Sequence, residues 1–332
     1  MGFETQDVER KVLAILNTIG DSDKAVGSTI IAKRLKEFGV ELSERAVRYH
    51  LRLMDERGLT HLAGRRDGRV TTELGQTELK KAMVSQKVGF ALSRIEVLAY
   101  RTNIDLDKRN GPIPTNISFF HQKDFNKALK AMKPIFDSGL CVSNLVAVAK
   151  EGELIGDLVV PAGKTALGTV CSIVVNGALL KAGVPINSKF GGILQIRNYM
   201  PLRFIELIHY EGSSLDPSEI FIRANMTSVA KAAKAGNGEI LANYREIPSV
   251  CRPVAVDIAA KLKAAGLGGI LLMGNISEPV CEIPIELNRI GVVLTGGLNP
   301  VAAAAEAGLA SESHAMSTVV EYQNLVNILD IL

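Results

Sequence analysis

The chain has 332 residues, long enough for two or three domains and a well-buried core. Hydrophobic residues are 47% and charged residues 22%, an ordinary soluble balance, and with no tryptophan and 5% aromatics the core must be aliphatic. No run reaches the roughly 18 uncharged apolar residues of a bilayer span.

The N-terminus "MGFETQDVERKVLAIL" carries acids and lacks the basic-then-apolar pattern of a signal peptide. Gln6 stands where myristoylation needs Ser or Thr. The expected location is the cytoplasm, with no membrane partner. Net charge is +3, and its location matters more than its size. Residues 1–90 hold 16 Lys+Arg against 13 Asp+Glu, whereas 91–332 hold 22 of each. The whole excess sits in the N-terminal quarter.

Val8, Val12, Ile15, Leu16 and Ile19 recur at helical spacing and predict a first helix. "GSTIIAKRLKEFGV" predicts a short second one, with Ile30, Ile31, Leu35 and Phe38 on one side and Gly39 as its stop. "LSERAVRYHLRLMDERGL" predicts a third, N-capped by Ser43, with Val47, Leu51 and Met54 as its buried stripe. Arg45, Arg48 and Arg52 fall on another face beside Tyr49. Gly58 closes that helix. Two extended runs, Leu59–Leu62 and Arg69–Thr72, then flank Arg65-Arg66-Asp67-Gly68, and Asp-Gly between such runs signals a hairpin.

Residues 43–70 contain seven arginines and no lysine. Arginine forks reach phosphates and guanine edges bidentately. A helical turn leading to an arginine-lined helix predicts major-groove recognition of double-stranded DNA, and Arg65, Arg66 and Arg69 on the hairpin predict contacts to the flanking backbone or minor groove. The bland alternative is a solvated basic face. His50 and His61 read as half-buried packing residues.

Apolar positions from Leu79 to Leu98 continue as helix over 73–102, packed either on a second copy or on the chain's own C-terminal part. Gly111, Pro112 and Pro114 break it. The predicted organisation is a DNA-binding domain over 1–85, a helical connector over 86–110, and a mixed α+β regulatory domain over 111–332.

In that last region "NISFF", "FGGILQI", "RFIELIHY", "GEILANYREIP", "GGILLMGN" and "IGVVLTGG" read as strands. "LVAVAK" and "ELIGDLVVP" read as a hairpin around Glu151-Gly152. "KDFNKALKAMKPIFDSG", "TALGTVCSIVVNGALLKAG" and "RPVAVDIAAKLKAAG" read as helices. Residues 158–183 weakly parallel 244–266, each with a strand, a proline, a cysteine and an apolar helix ending in Lys-Ala-Gly or Lys-Ala-Ala-Gly, followed by a Gly-Gly strand.

Gly163-Lys164-Thr165 imitates the end of a P-loop. The first glycine of G-x-x-x-x-G-K-[ST] is Leu158 here, so nucleotide binding is not expected. A strand–turn–helix layout would still offer free N–H groups to a small anion. Lys164 and Thr165 are expected at one such helix start. Arg252 of "IPSVCRP" stands at a second, and Thr295 and Asn299 of "LTGGLNP" at a third. Together they could hold a carboxylate-bearing effector, although such turns occur in every α/β domain. Cys141, Cys171, Cys251 and Cys281 lack the close spacing of a zinc site and read as buried apolar residues. The five histidines are scattered and no catalytic motif stands out. No enzyme activity and no cofactor are expected.

"SERAVRYHLRLMDERGL", the basic hairpin and "TTELGQTEL" resemble the prokaryotic repressor branch of the winged helix-turn-helix family, over residues 5 to about 85. "VPAGKTALGTVCSIVVNGALLKAGVPINSKFGG", "IPSVCRPVA" and "GVVLTGGLNPVAAAAEAG" are similar to the regulatory domain of NrpR, the nitrogen repressor family of methanogenic archaea. This second resemblance spans the whole chain, with one regulatory domain where some members carry two. It implies a dimeric repressor of nitrogen-metabolism genes, released from its operator by 2-oxoglutarate. It also raises Cys171, Cys251 and Cys281 as pocket-lining candidates beside Lys164 and Arg252. The alternative is a metabolite-binding protein or enzyme that uses its winged helix for protein or RNA contacts.

Overall fold

The N-terminal apolar spacing folds as read: α1 spans Gly2–Gly20, α2 Ser28–Glu37 and α3 Glu44–Glu56. The structure is a computed structural model that describes residues 2–20, 22, 25–37, 40–64, 68–81 and 89–331. Val12, Ile15, Leu16, Ile31, Leu35, Val47, Leu51 and Met54 are each at most 2% exposed and form one core. Ile30, expected on the inner side of α2, is exposed. Phe38 and Gly39 lie outside the described residues.

Ser43 caps α3 by accepting from the Ala46 amide at 3.2 Å. The hairpin pairs β1 (Thr60–Gly64) with β2 (Gly68–Thr71), antiparallel. Val26 adds a bridge to Arg69, with reciprocal amide bonds of 2.9 and 3.0 Å. His50 is buried and His61 exposed, so neither has the half-buried setting expected. Helix α4 follows over Glu73–Lys81.

The chain divides into two compact units, residues 1–87 and 88–332. The second unit opens with α5 (Phe90–Arg101), whose Ala91, Ile95, Leu98 and Ala99 are buried in that unit's own core. Then come β3 (Pro112–His121), α6 (Gln122–Asp137), β4 (Leu145–Lys150), the small hairpin β5–β6 (Leu154–Ile155, Leu158–Val159), β7 (Lys164–Val170), α7 (Ile173–Lys181), β8 (Asn187–Arg197) and β9 (Met200–His209). The remainder holds α8 (Pro217–Arg223), α9 (Val229–Ala235), β10 (Gly238–Pro248), α10 (Arg252–Ala264), β11 (Ile270–Met273), β12 (Arg289–Thr295), α11 (Asn299–Glu306), β13 (Ser311–Glu321) and β14 (Val326–Asn327).

These strands form two five-stranded sheets, ordered β13-β3-β7-β4-β14 and β11-β12-β10-β8-β9, every pairing antiparallel. One core joins Phe120 and Leu167 of the first sheet to Ile193, Leu194 and Leu241 of the second, with α6 and α11 packed on it. A neighbouring core holds α7 and α10 against β12.

One expectation fails and one is not borne out, whereas α5 does end before Gly111, Pro112 and Pro114 as expected. Residues 164–170 are a strand rather than the start of a helix, because "KTALGTV" is buried on both faces and lacks polar alternation. Pro112 and Pro114 lie inside β3, paired with Glu321 and Val319 of the sheet's outer strand. The internal repeat is not borne out: β7 and β8 belong to different sheets, whereas β10 and β11 share one.

One polar knot holds the wing onto α3. Asp55 accepts from Arg69 Nε at 2.7 Å and from Thr60 Oγ1 at 2.7 Å. Asp55→Ala strands two partly buried donors, so the winged helix should lose about 1–3 kcal/mol, read as an earlier transition in urea unfolding, while Arg48→Ala should leave that transition in place.

Candidate functional site

Side chains of a strand alternate across its sheet, and β10 uses this to put two polar groups where apolar ones would be expected. Asn243 and Arg245 face a small cleft, partly open to solvent, while Tyr244 faces the other way and stacks on Phe190. Asn116 of β3, Cys171 and Ser172 at the head of α7, Tyr210, Asp216 before α8, and Gly297 and Leu298 before α11 also line the cleft.

Arg245 is 1% exposed. Its Nε lies 3.4 Å from Asn176 Oδ1, and one terminal nitrogen donates to the Tyr244 carbonyl at 3.2 Å. The Tyr210 ring sits 4.9 Å from its guanidinium carbon. Among the described residues no carboxylate comes within 4.0 Å of it. A buried cation without a counter-ion costs several kcal/mol, and here its remaining N–H groups are left for an anion.

The surrounding dipoles agree. Asn243 donates to Ser172 Oγ at 3.1 Å and accepts from Tyr210. That leaves the Ser172 O–H to donate into the cleft. Asn116 Oδ1 accepts from the Met316 amide at 2.9 Å. Its amide nitrogen faces Gly297, where a Cβ would lie only 2.5 Å away, so glycine keeps that nitrogen accessible. The N-termini of α7 and α11 add partial positive charge at the same place.

Met316 forms part of the cleft wall in an unusual conformation. Its φ is +50°, and β13 is irregular between His314 and Thr318. Arg94 of α5 grips this bulge from outside, through Nε to the Met316 carbonyl and a terminal nitrogen to the Ser317 carbonyl at 3.0 Å. Glu219 of α8 accepts from the Ala315 amide at 2.7 Å.

Burial raises the Cys171 thiol to about 12 and the Tyr210 phenol to about 12, so both stay protonated at neutral pH. Burial also raises the Asp216 carboxyl to about 6, against hydrogen bonding from Ser218 that favours the ionised form. No group of three His, Cys, Asp or Glu side chains with metal-ligand geometry occurs among the described residues.

Of the residues expected to bind an effector, only Cys171 lines the cleft. Thr295 and Asn299 stand behind it: Asn299 clasps the Leu241 backbone and donates to Thr295 Oγ1 at 3.0 Å, fixing the turn that carries Gly297. Lys164 and Thr165 are elsewhere, because β7 is a strand; the Lys164 ammonium lies 3.3 Å from His121. Cys251 and Arg252 start α10, with Arg252 exposed. Cys281 is buried in the same core as Tyr244 and does not line the cleft. Arg245, Asp216, Tyr210, Asn243, Ser172 and Asn116 escaped the sequence reading. Their one signal was Asn243 and Arg245, two apart and so on one face of the strand "GEILANYREIP".

On the N-terminal unit Arg45, Arg48, Tyr49 and Arg52 are all exposed on α3. Among the described residues Arg48 and Arg52 pair with Glu44 and Glu56 of the same helix, at 3.7 and 3.1 Å. Arg69 is engaged by Asp55 instead. Arg65 and Arg66 lie outside the described residues.

Residues 88–327 match the family of NrpR regulatory domains NRD1 and 2, and residues 13–79 match the ribonuclease R winged-helix domain. The chain is 39% identical to the global nitrogen regulator NrpRI of Methanosarcina mazei, over 97% of this chain and 98% of that one. It is 31% identical to the global nitrogen regulator NrpR of Methanocaldococcus jannaschii over 96% of its length, and 30% identical to that of Methanococcus maripaludis over 94%. It spans about half of those two, 55% and 54%. A crystal structure of a nitrogen repressor-like protein from Methanococcus jannaschii superposes with a TM-score of 0.61 at 28% identity, covering 72% of this chain and 98% of that one. With its regulatory region and nearly its full length matched in this way, the chain belongs to the NrpR family of nitrogen regulators.

Proposed function

We propose that the chain is a homodimeric transcriptional repressor of nitrogen-metabolism genes, and that a small dicarboxylate, 2-oxoglutarate, binds the cleft around Arg245 and releases it from double-stranded operator DNA. It acts in the cytoplasm as a regulator and not as an enzyme. The observation that carries the effector reading is the buried Arg245 guanidinium with no carboxylate beside it. A carboxylate there gains a charge-assisted, bidentate partner in a site already desolvated. The exposed Arg45, Arg48 and Arg52 of α3 carry the DNA reading.

Coupling runs through the cleft wall. A ligand that presses on Met316 shifts the two carbonyls held by Arg94, and with them α5, the next described element after α4 in the chain. Only a ligand that favours one arrangement over the other moves the equilibrium. In a dimer the shift takes the two α3 helices off their half-site spacing.

Two experiments test this. Arg48→Ala or Arg52→Ala should each weaken duplex binding and flatten the fall of log K with log salt by about 0.9 for each phosphate no longer neutralised. Single-stranded RNA serves as the competitor, since the N-terminal match bears the name of a ribonuclease; wild-type binding that RNA displaces, or that ignores salt, would overturn the DNA assignment. In thermal-shift titration 2-oxoglutarate should raise the midpoint of the wild type, by about 2.7 kcal/mol of added stability at a hundred times Kd. Arg245→Gln should abolish that shift, while Arg94→Ala should keep the shift and lose ligand-driven release from DNA.

A further inference from the structure

The cleft is not uniformly positive. Asp216 also lines it, half-buried, with Oδ1 accepting from the Ser218 amide at 2.8 Å. It forms no ion pair with Arg245 within 4.0 Å. One fixed cation and one unpaired carboxylate therefore share a single small space. A ligand with two carboxylates satisfies the first and is repelled by the second.

Resting on the effector reading above, we propose that Asp216 is the specificity-determining residue of the cleft: it takes up one proton from solvent as a dicarboxylate binds at Arg245, and its protonated oxygen then donates a hydrogen bond to the ligand. The balance is simple: a carboxylate, a proton and a dianion become a neutral acid bonded to the bound dianion, with no covalent change. A ligand that brings an ammonium group to the same place pairs with ionised Asp216 and needs no proton.

The groups around Asp216 make it the one poised to respond. On α8, Glu219 is held by the Ala315 amide and by Arg223 at 3.3 Å. Cys171 and Tyr210 stay protonated, and Arg245 on β10 supplies the cation of the cleft. Lys189 on β8 is committed to Glu246 at 3.4 Å. On β13, Glu312 pairs with His314 at 3.3 Å. Burial already lifts the Asp216 carboxyl to about 6 in the free protein. A second negative charge nearby lifts it further, since like charges disfavour the ionised form. Affinity for a dianion should then fall as pH rises above about 6, by up to roughly tenfold per pH unit.

Isothermal titration with 2-oxoglutarate at pH 7.5, in two buffers of different ionisation enthalpy, reads the protons taken up directly. The expected result is close to one proton for the wild type and close to none for Asp216→Asn. Asparagine caps a helix as well as aspartate does, so α8 keeps its start. The variant should also bind 2-oxoglutarate several-fold more tightly than the wild type at pH 7.5, and L-glutamate more weakly. Binding without proton uptake, or uptake that survives in Asp216→Asn, overturns the proposal and leaves the effector reading standing. No binding of 2-oxoglutarate at millimolar concentration removes the effector reading and this proposal together.

Discussion

The structure of the second unit turns on a charge that is buried and left unpaired. Arg245 sits in the middle strand of a five-stranded sheet, at a position whose neighbours in sequence are fully buried. An apolar residue of similar volume would be neutral or stabilising there, because a well-packed hydrophobe avoids the desolvation of a guanidinium. What makes the arginine tolerable is a set of weak compensations: the Tyr244 carbonyl, the Asn176 amide oxygen and the face of Tyr210. None neutralises the charge. The fold keeps an electrostatic deficit that an anion can fill, and much of the local architecture exists to hold that deficit in place. Asn299 and Thr295 lock the turn before α11, Asn243 locks Ser172 and Tyr210, and Gly297 keeps the Asn116 amide open to the cleft.

The same cleft has one wall that is not rigidly built. Met316 occupies a left-handed conformation that costs about 1–3 kcal/mol for a residue with a side chain, and it is kept there from three sides. Asn116 binds its amide, Glu219 binds the preceding amide, and Arg94 binds its carbonyl. A strained segment held by polar bonds can change its arrangement when any of the holders changes partner. Asn116 faces the cleft directly, and Glu219 is three residues from Asp216. Any group that takes Asn116 or Glu219 as a partner therefore changes what holds Met316 in place.

How much of this could be read in advance depended on whether a signal was local. The three N-terminal helices and the hairpin were legible because capping, periodicity and Asp-Gly turn chemistry act within a few residues; Ser43 and the Val47–Leu51–Met54 stripe behave as their spacing dictates. "LTGGLNP" was also legible as a strand, a turn and a helix start, and it does reach the cleft through Gly297 and Leu298. The "AGKTALG" segment misled because a strand buried on both faces has no alternation, and its continuous apolar run is indistinguishable from a buried helix. That error moved the helix start from Cys171 back to Lys164 and took the wrong cation with it. Arg245 and Asp216 were illegible for another reason. Burial of a charged residue is decided by which elements pack around it, and nothing within the "NYREIP" or "LDPSEIF" strings announces that packing.

The arginines of the first unit show the same division between local and tertiary control. By composition Arg48, Arg52 and Arg69 are alike, and the wing and the recognition helix are equally armed. The structure separates them by what already holds each one. Arg69 is bound through Nε to both Asp55 oxygens in a partly buried setting, and reassigning it to a phosphate would loosen the wing from α3. Among the described residues Arg48 and Arg52 are paired across one helical turn, with side chains 62% and 82% exposed. Exposed pairs of that kind are worth about 0.3–0.5 kcal/mol, so exchanging a glutamate for a DNA phosphate or a guanine edge costs almost nothing. The arginines free to act are those with the weakest existing partners. The second unit obeys the same rule at greater depth, where a buried guanidinium without a carboxylate partner faces a cavity that can supply one.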